Sequence, residues 1–178
     1  MKMVAKIFGG LVALWLVLLL VGLVLPGHYR VSRTAVINAP PNTVYSHIGD
    51  LKAWRAWGVW FARDPAMKLS YSPLTTGIGA WSSWKSKTQG NGKMTITQVA
   101  PPEDFEYRME FSDMAMVARG TMVVAPAPGG FSQVTMGMEG DLGRSPINRW
   151  FGLFMDKLIG PDFDAGLANL KRLSEAER

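Results

Sequence analysis

Hydrophobic positions follow three different patterns along this chain. The first is unbroken: Ile7 to Leu25 is a run of 19 residues without a charge, and 14 of them are Leu, Ile, Val or Phe. At about 1.5 Å per residue it predicts a helix of roughly 28 Å, close to the roughly 30 Å hydrocarbon core of a bilayer. A cleaved signal has an apolar region of about 7–15 residues and then a small-x-small site. Here the run is longer and Pro26-Gly27-His28-Tyr29 offers no such site. Residues 7–25 are therefore expected to remain as a single-pass membrane anchor. Lys2 and Lys6 lie before the run, Arg30 and Arg33 after it. The short amino-terminal tail favours an inside amino terminus and an extracytoplasmic domain.

The second pattern has period two. Tyr29 to Ile37 alternates as a strand, with Val31, Arg33 and Ala35 on one face. Lys68 to Ser72, Ala80 to Lys87 and Lys93 to Val99 follow, the last two joined by Gly90-Asn91-Gly92, a hairpin signal. Phe105, Tyr107, Met109 and Phe111 alternate with Asp104, Glu106, Arg108 and Glu110, which marks a half-buried antiparallel strand. Met116 to Ala125 and Phe131 to Met138 complete a hairpin around Pro126-Ala-Pro-Gly-Gly.

The third pattern is helical. Pro40-Pro41 opens a helix carrying Val44, Tyr45, Ile48 and Leu51, and Trp54, Trp57 and Trp60 continue at three-residue steps. Near the end, Ser145 is a natural N-cap and Pro146 a first helical residue. Ile147, Trp150, Phe151, Phe154, Met155 and Leu158 form an apolar stripe that Phe163, Leu167 and Leu170 resume beyond a bend at Gly160-Pro161. One strand, helices, a block of about six strands and a long helix predict an α+β fold, with helices on one face of an antiparallel sheet. The chain divides into an anchor with a short linker, residues 1–28, and one domain, residues 29–178.

Composition narrows the chemistry. Without Lys2 and Lys6 the chain has 17 basic and 14 acidic side chains, a balance with no nucleic-acid footprint. There is no cysteine, so disulfides, thiol catalysis and cysteine-ligated zinc are excluded. The two histidines, His28 and His47, have no partners at metal-ligand spacing. No nucleophile elbow is present, and Gly77-Ile-Gly79 lacks the third glycine of a dinucleotide loop. Asp104, Glu106, Glu110 and Glu139 fall on the face opposite the apolar residues; Asp64 lies in a loop. No metal, cofactor or catalytic residue is expected.

Several residues carry a family likeness: Ile37-Asn38-Ala39-Pro40 running to Val44-Tyr45, Trp54-x-x-Trp57, Gly77-x-Gly79 followed by Trp84, and Phe163-x-x-x-Leu167-x-x-Leu170-Lys171. In their order and spacing, from about Arg33 to Arg172, the chain resembles the START-like (SRPBCC) superfamily, in particular its bacterial polyketide cyclase/dehydrase-like members. The resemblance implies a helix-grip fold, a curved antiparallel sheet wrapped around a long C-terminal helix, with an apolar cavity between them. It also implies binding of lipids, polyketides or other hydrophobic molecules, with enzymes a minority. The catalytic groups of the aromatic cyclases match no residue here.

By strand parity, the face towards the long helix carries Trp84, Met94, Ile96, Phe105, Tyr107, Met109, Phe111, Met122, Val134, Met136 and Met138, with Ser82, Ser86, Ala118 and Gly120 among them. Methionine adapts to irregular shapes, and small residues leave room. The expected ligand-binding set is Ser82, Trp84, Ser86, Met94, Ile96, Phe105, Tyr107, Met109, Met122, Met136, Met138 and Phe154. Its expected ligand is an apolar small molecule or lipid, bound without catalysis. A cyclase or dehydrase, and a protein-interaction module like the chaperone-activator branch, are the alternatives. Lys85, Lys87 and Lys93 cluster near one hairpin tip, where anionic head groups would add about 1 kcal/mol per charge.

If the apolar run is an anchor, intact-mass analysis of the membrane-extracted protein will find residues 1–25 present. A mature chain starting near Gly27 would exclude it.

Overall fold

The computed structural model describes residues 2–113 and 116–177. The apolar run forms α1 (Lys2–Val24), of which Lys6–Val24 is long and apolar enough to cross a membrane, with 6% of that window buried. Three residues later the sheet begins with β1 (His28–Ile37). Next come α2 (Pro41–Gly49), a 3₁₀ turn (Ala53–Ala56) and α3 (Val59–Arg63). Six strands follow: β2 (Lys68–Tyr71), β3 (Trp81–Lys85), β4 (Asn91–Ala100), β5 (Asp104–Phe111), β6 (Met116–Ala127) and β7 (Phe131–Asp141). The chain closes with α4 (Pro146–Gly152) and α5 (Met155–Ala176).

All seven strands form one antiparallel sheet in the order β1-β7-β6-β5-β4-β3-β2. Consecutive strands pair as a meander, and β1 closes on β7. The fold is α+β and helix-grip: the curved sheet holds α5 against its inner face. Inward positions follow the alternation, so Phe105, Tyr107, Met122, Val124, Val134 and Met136 are buried. Each strand boundary falls within a few residues of its expected place. The β3–β4 turn takes residues 86–90, because Asn91 already pairs with Lys85.

Aromatic rings opposite glycines give the inner face its shape. Tyr29 pairs with Gly140, Tyr107 with Gly120 and Trp84 with Gly92, each across a strand boundary. In each pair the ring lies over the glycine, where a Cβ would stand: at Gly140 that atom would meet Tyr29 Cε1 at 2.6 Å. A ring laid flat covers backbone that glycine leaves bare.

An arginine fixes α5 on β1. Arg33 points inward from the strand and bridges one helical turn on each side of Gly160. Its Nη1 and Nη2 donate to Asp156 at 2.8 and 3.0 Å, and its Nε donates to Asp164 at 3.2 Å. The two carboxylates hold the guanidinium above its ordinary pKa, Asp156 contributing most. Gly160 is buried with the guanidinium where its side chain would be. Farther along, Lys171 Nζ donates to Val36 O at 2.8 Å, and Asn38 N donates to Glu175 Oε1 at 2.8 Å. Helix and strand therefore run in the same direction. The helix passes through Pro161 as one element.

The C-terminal stripe is not continuous. At Gly152 α4 stops, and its last turn tightens to i→i+3 bonds, Leu153 N to Trp150 O and Phe154 N to Phe151 O. Gly152 suits the stop: it has low helix propensity, and its Cα side rests on Leu142. Phe163, Leu167 and Leu170 of α5 enter the core, whereas Ile147, Phe151, Leu153, Phe154 and Leu158 are 51–62% exposed. The α4 half of the stripe stays off the sheet, and α4 packs on α1 through Pro146, Arg149 and Trp150.

Three substitutions test this packing in detergent. Leu167→Ala will cost about 2–5 kcal/mol, as buried leucines do, and Phe154→Ala no more than about 0.5 kcal/mol. Gly120→Ala, forcing a methyl into the Tyr107 ring, will cost about 1–3 kcal/mol. Urea unfolding followed by circular dichroism reads all three.

Candidate ligand-binding site

Strand register sorts the inner face into rows that cross the sheet. One row joins Tyr29, Gly140, Ala118, Met109, Met94, Ser82 and Tyr71, one residue from every strand. Leu69, Trp84, Gly92, Phe111 and Met116 form a shorter row beside it. On the other side come Val31, Met138, Gly120, Tyr107 and Ile96, then Arg33, Met136, Met122 and Phe105. The rows differ in what lies above them.

Trp54 covers the Tyr107 and Phe105 rows. The tight turn after α2 swings its indole over the sheet, where the Nε1–H donates to Ile48 O at 2.8 Å. Its ring centroid lies 5.3 Å from that of Tyr107, 5.9 Å from Phe105 and 4.7 Å from Trp57. Trp57 in turn donates to His47 O and lies under Gly166 of α5. This part of the grip is packed core.

The seven-residue row lies towards the end of the sheet that α5 does not reach. Arg33 places Gly160 over its own row, and five residues of α5, about 7.5 Å of rise, precede Gly160. Tyr29 is four residues from Arg33, about 13 Å of strand. The row therefore extends beyond the start of α5, at the end of β1 that adjoins α1. It combines Gly140, covered by the Tyr29 ring, and the small Ala118 and Ser82 with the flexible Met94 and Met109; Ala118, Ser82 and Met94 are 2–8% exposed. A tyrosine closes it at each end. The hydroxyls of Tyr29 and Tyr71 are buried and have no hydrogen-bond partner in the protein. Buried polar atoms are rarely left so. Burial raises the pKa of both phenols, and Tyr107's strongly.

The residues selected from the sequence divide accordingly. Ser82, Met94 and Met109 share the seven-residue row, where Ser82 and Met94 are buried, and Trp84 adjoins it, packed edge-on against Phe111 at 6.0 Å. Tyr107, Ile96 and Met138 form the next row, and Phe105, Met122 and Met136 lie deepest, all buried. Phe154 is the clear departure: it is exposed and stands before α5, because the helix restarts after it. Ser86 also departs from its expected inward place. It has left the strand, its Oγ donates to Asp64 and accepts from Thr88 N and Gln89 N, and it builds the turn. Tyr29 and Tyr71 went unselected. Parity with Val31 places Tyr29 inward, but Tyr71 ends a strand too short for parity to be read.

Carboxylates gather on the other face. Arg119 Nη1 donates to Glu139 at 3.0 Å and also pairs with Glu106; Arg30 Nη2 donates to Glu139 at 2.7 Å. Hydrogen bonds from Arg30, then Arg119, hold the Glu139 carboxyl below the usual range. A concavity of about 1360 Å³ opens over this face, lined by Arg30, Glu106, Arg108, Arg119, Glu139 and Arg149 among others. Among the described residues, no three His, Asp or Glu side chains are grouped to hold a metal ion.

The fold is shared with solved structures. Protein CV1439 of Chromobacterium violaceum is 20% identical, with a TM-score of 0.57 over 84% of this chain and 99% of that one. The Helicobacter pylori protein jhp0584 is 10% identical, with a TM-score of 0.64 over 82% and 87%. A truncated norcoclaurine synthase of Thalictrum flavum is 13% identical, with a TM-score of 0.62 over 82% and 92%. A sequence search of the curated proteins found no match. The model of the family described as "Polyketide cyclase / dehydrase and lipid transport" matches residues 28–175, everything from the first strand to the last turn of α5, and the chain belongs to that family.

Proposed function

We propose that this chain binds a hydrophobic small molecule or lipid between sheet and C-terminal helix, without transforming it. In this reading α1 tethers the binding domain, residues 29–178, to a membrane from the extracytoplasmic side. The observation that carries it is the seven-residue row, which extends beyond the start of α5. Small and flexible side chains between two partnerless tyrosine hydroxyls suit an apolar ligand with a polar end. Ser82, Trp84, Met94 and Met109 form its wall, with Tyr29 and Tyr71 as hydrogen-bond donors. Tyr107 and the deeper methionines form its floor.

Position supports the same reading. The row begins at Tyr29, two residues beyond Gly27, so a ligand dissolved in the membrane reaches it without crossing bulk water. Lys85, Lys87 and Lys93 lie around the β3–β4 turn, on the same side of the row as the start of β1. They suit anionic head groups, although Lys93 also stacks over Trp81 at 5.1 Å.

Catalysis fits less well. General acid–base work is best served by a group with a pKa near the working pH. The titratable side chains of the inner rows are tyrosines raised by burial and an arginine held by two carboxylates. At neutral pH these keep their protons, which leaves the tyrosines as hydrogen-bond donors and not as bases. A second reading rests on the charged outer concavity, which would receive a polar ligand or partner.

Native mass spectrometry of the full-length protein, gently extracted from membranes, tests the proposal. An apolar molecule will be retained, and fatty acids, isoprenoids or phospholipids will compete for its place. Met109→Trp, filling the row, will weaken binding by at least about tenfold, or about 1.4 kcal/mol. Arg119→Ala will leave it unchanged. The reverse pattern favours the outer face, and no binding below millimolar concentration from the whole panel excludes the carrier reading.

A further inference from the structure

The five exposed apolar side chains of the α4–α5 junction call for a partner, and the contacts of α4 identify it. Trp150 Nε1 donates to Leu18 O at 2.9 Å. Pro146 packs on Gly22, where a Cβ would stand 2.7 Å from the proline's own Cβ. Arg149 Nη1 donates to Leu23 O at 2.6 Å and Leu25 O at 3.3 Å, and its Nε donates to Gly143 O at 3.1 Å. Thus α4 lies along the last two turns of α1. Leu18 precedes the end of α1 by six residues, about 9 Å of rise.

These contacts fix depth. If α1 spans a bilayer, its span of 19 residues, about 28 Å, matches the hydrocarbon core, and its last turns lie at the core's edge. A segment packed against them lies at the same level. The last carbonyls of a helix lack intrahelical donors, and leaving them unpaired is costly in an apolar medium. Arg149 supplies that donor from α4. Trp150 presents an indole N–H at the level where tryptophans collect in membrane proteins.

We propose that α4 and the first turn of α5 form a wedge in the outer edge of the lipid, beside the anchor. Ile147, Phe151, Leu153, Phe154 and Leu158 contact acyl chains, and the exposed Arg144 and Lys157 reach the head groups. The proposal rests on the reading of α1 as a membrane span. It explains why an apolar stripe continuous in sequence is divided in space: Phe163 onward covers the sheet, and the part before it meets lipid. It also holds the Tyr29 row of the sheet at the bilayer surface, since Gly152 of α4 rests on Leu142, directly after β7.

The chain has no cysteine, so single-cysteine variants report position cleanly. Full-length Phe151→Cys, Phe154→Cys and Leu158→Cys, spin-labelled, would be reconstituted in phosphatidylcholine vesicles containing phosphatidylglycerol. Leu14→Cys on α1 and Gln133→Cys on the outer face of β7 serve as references. The three wedge labels will match Leu14 in collisions with oxygen and show several-fold fewer collisions with a water-soluble nickel chelate than Gln133. If Leu14 reports lipid while all three behave like Gln133, the wedge fails and the anchor stands. If Leu14 itself reports water, both fail. Wedge labels shielded from oxygen and chelate alike would mean a protein partner and overturn the proposal.

Discussion

Only three residues separate the end of α1 from the start of the sheet. Leu25, Pro26 and Gly27 give the domain little freedom to move away from the apolar helix, and Leu142 N bonding Gly27 O removes more of it. Because β1 starts there, the Tyr29 row is the part of the inner face nearest α1. Because β1 pairs with β7, the chain leaving β7 returns to the same place, and α4 forms against α1. One short connection thus gathers the open end of the grip, the exposed apolar junction and the apolar helix on one side of the molecule.

Within the grip, a single element supplies the large rings between sheet and helix. The turn after α2 carries Trp54 and Trp57 three residues apart, so both indoles point between sheet and α5. Each N–H is taken by a carbonyl near the end of α2, which lets two large polar-edged rings be buried without an orphaned donor. They fill the region over Phe105 and Tyr107. Beyond the first turn of α5 the strands offer glycine, alanine, serine and methionine in place of large rings.

The position of α5 depends on an arginine in an unusual place. An inward-facing arginine on a strand is costly unless its charge is met, and Asp156 and Asp164 meet it from both sides of Gly160. A residue larger than glycine would separate the helix from the strand. This pairing sets how far α5 reaches along β1, and so how much of the inner face it leaves uncovered.

Patterns that depend on near neighbours in the chain were legible from the residues alone. An uninterrupted apolar run makes a helix of membrane length, alternation assigns each strand residue to a face, and Ser145-Pro146 starts a helix. The face of Met94 or Phe105 follows from parity; what covers it does not. That depends on Trp54, brought over from 50 residues earlier by the fold, and on register, which sets aromatic rings against Gly92, Gly120 and Gly140. The same limit applied to Phe154. An apolar stripe signals exclusion from water, but a protein core and a lipid phase satisfy it equally. Only the tertiary packing of Pro146, Arg149 and Trp150 against α1 shows that the first half of the stripe leaves the sheet for the apolar helix.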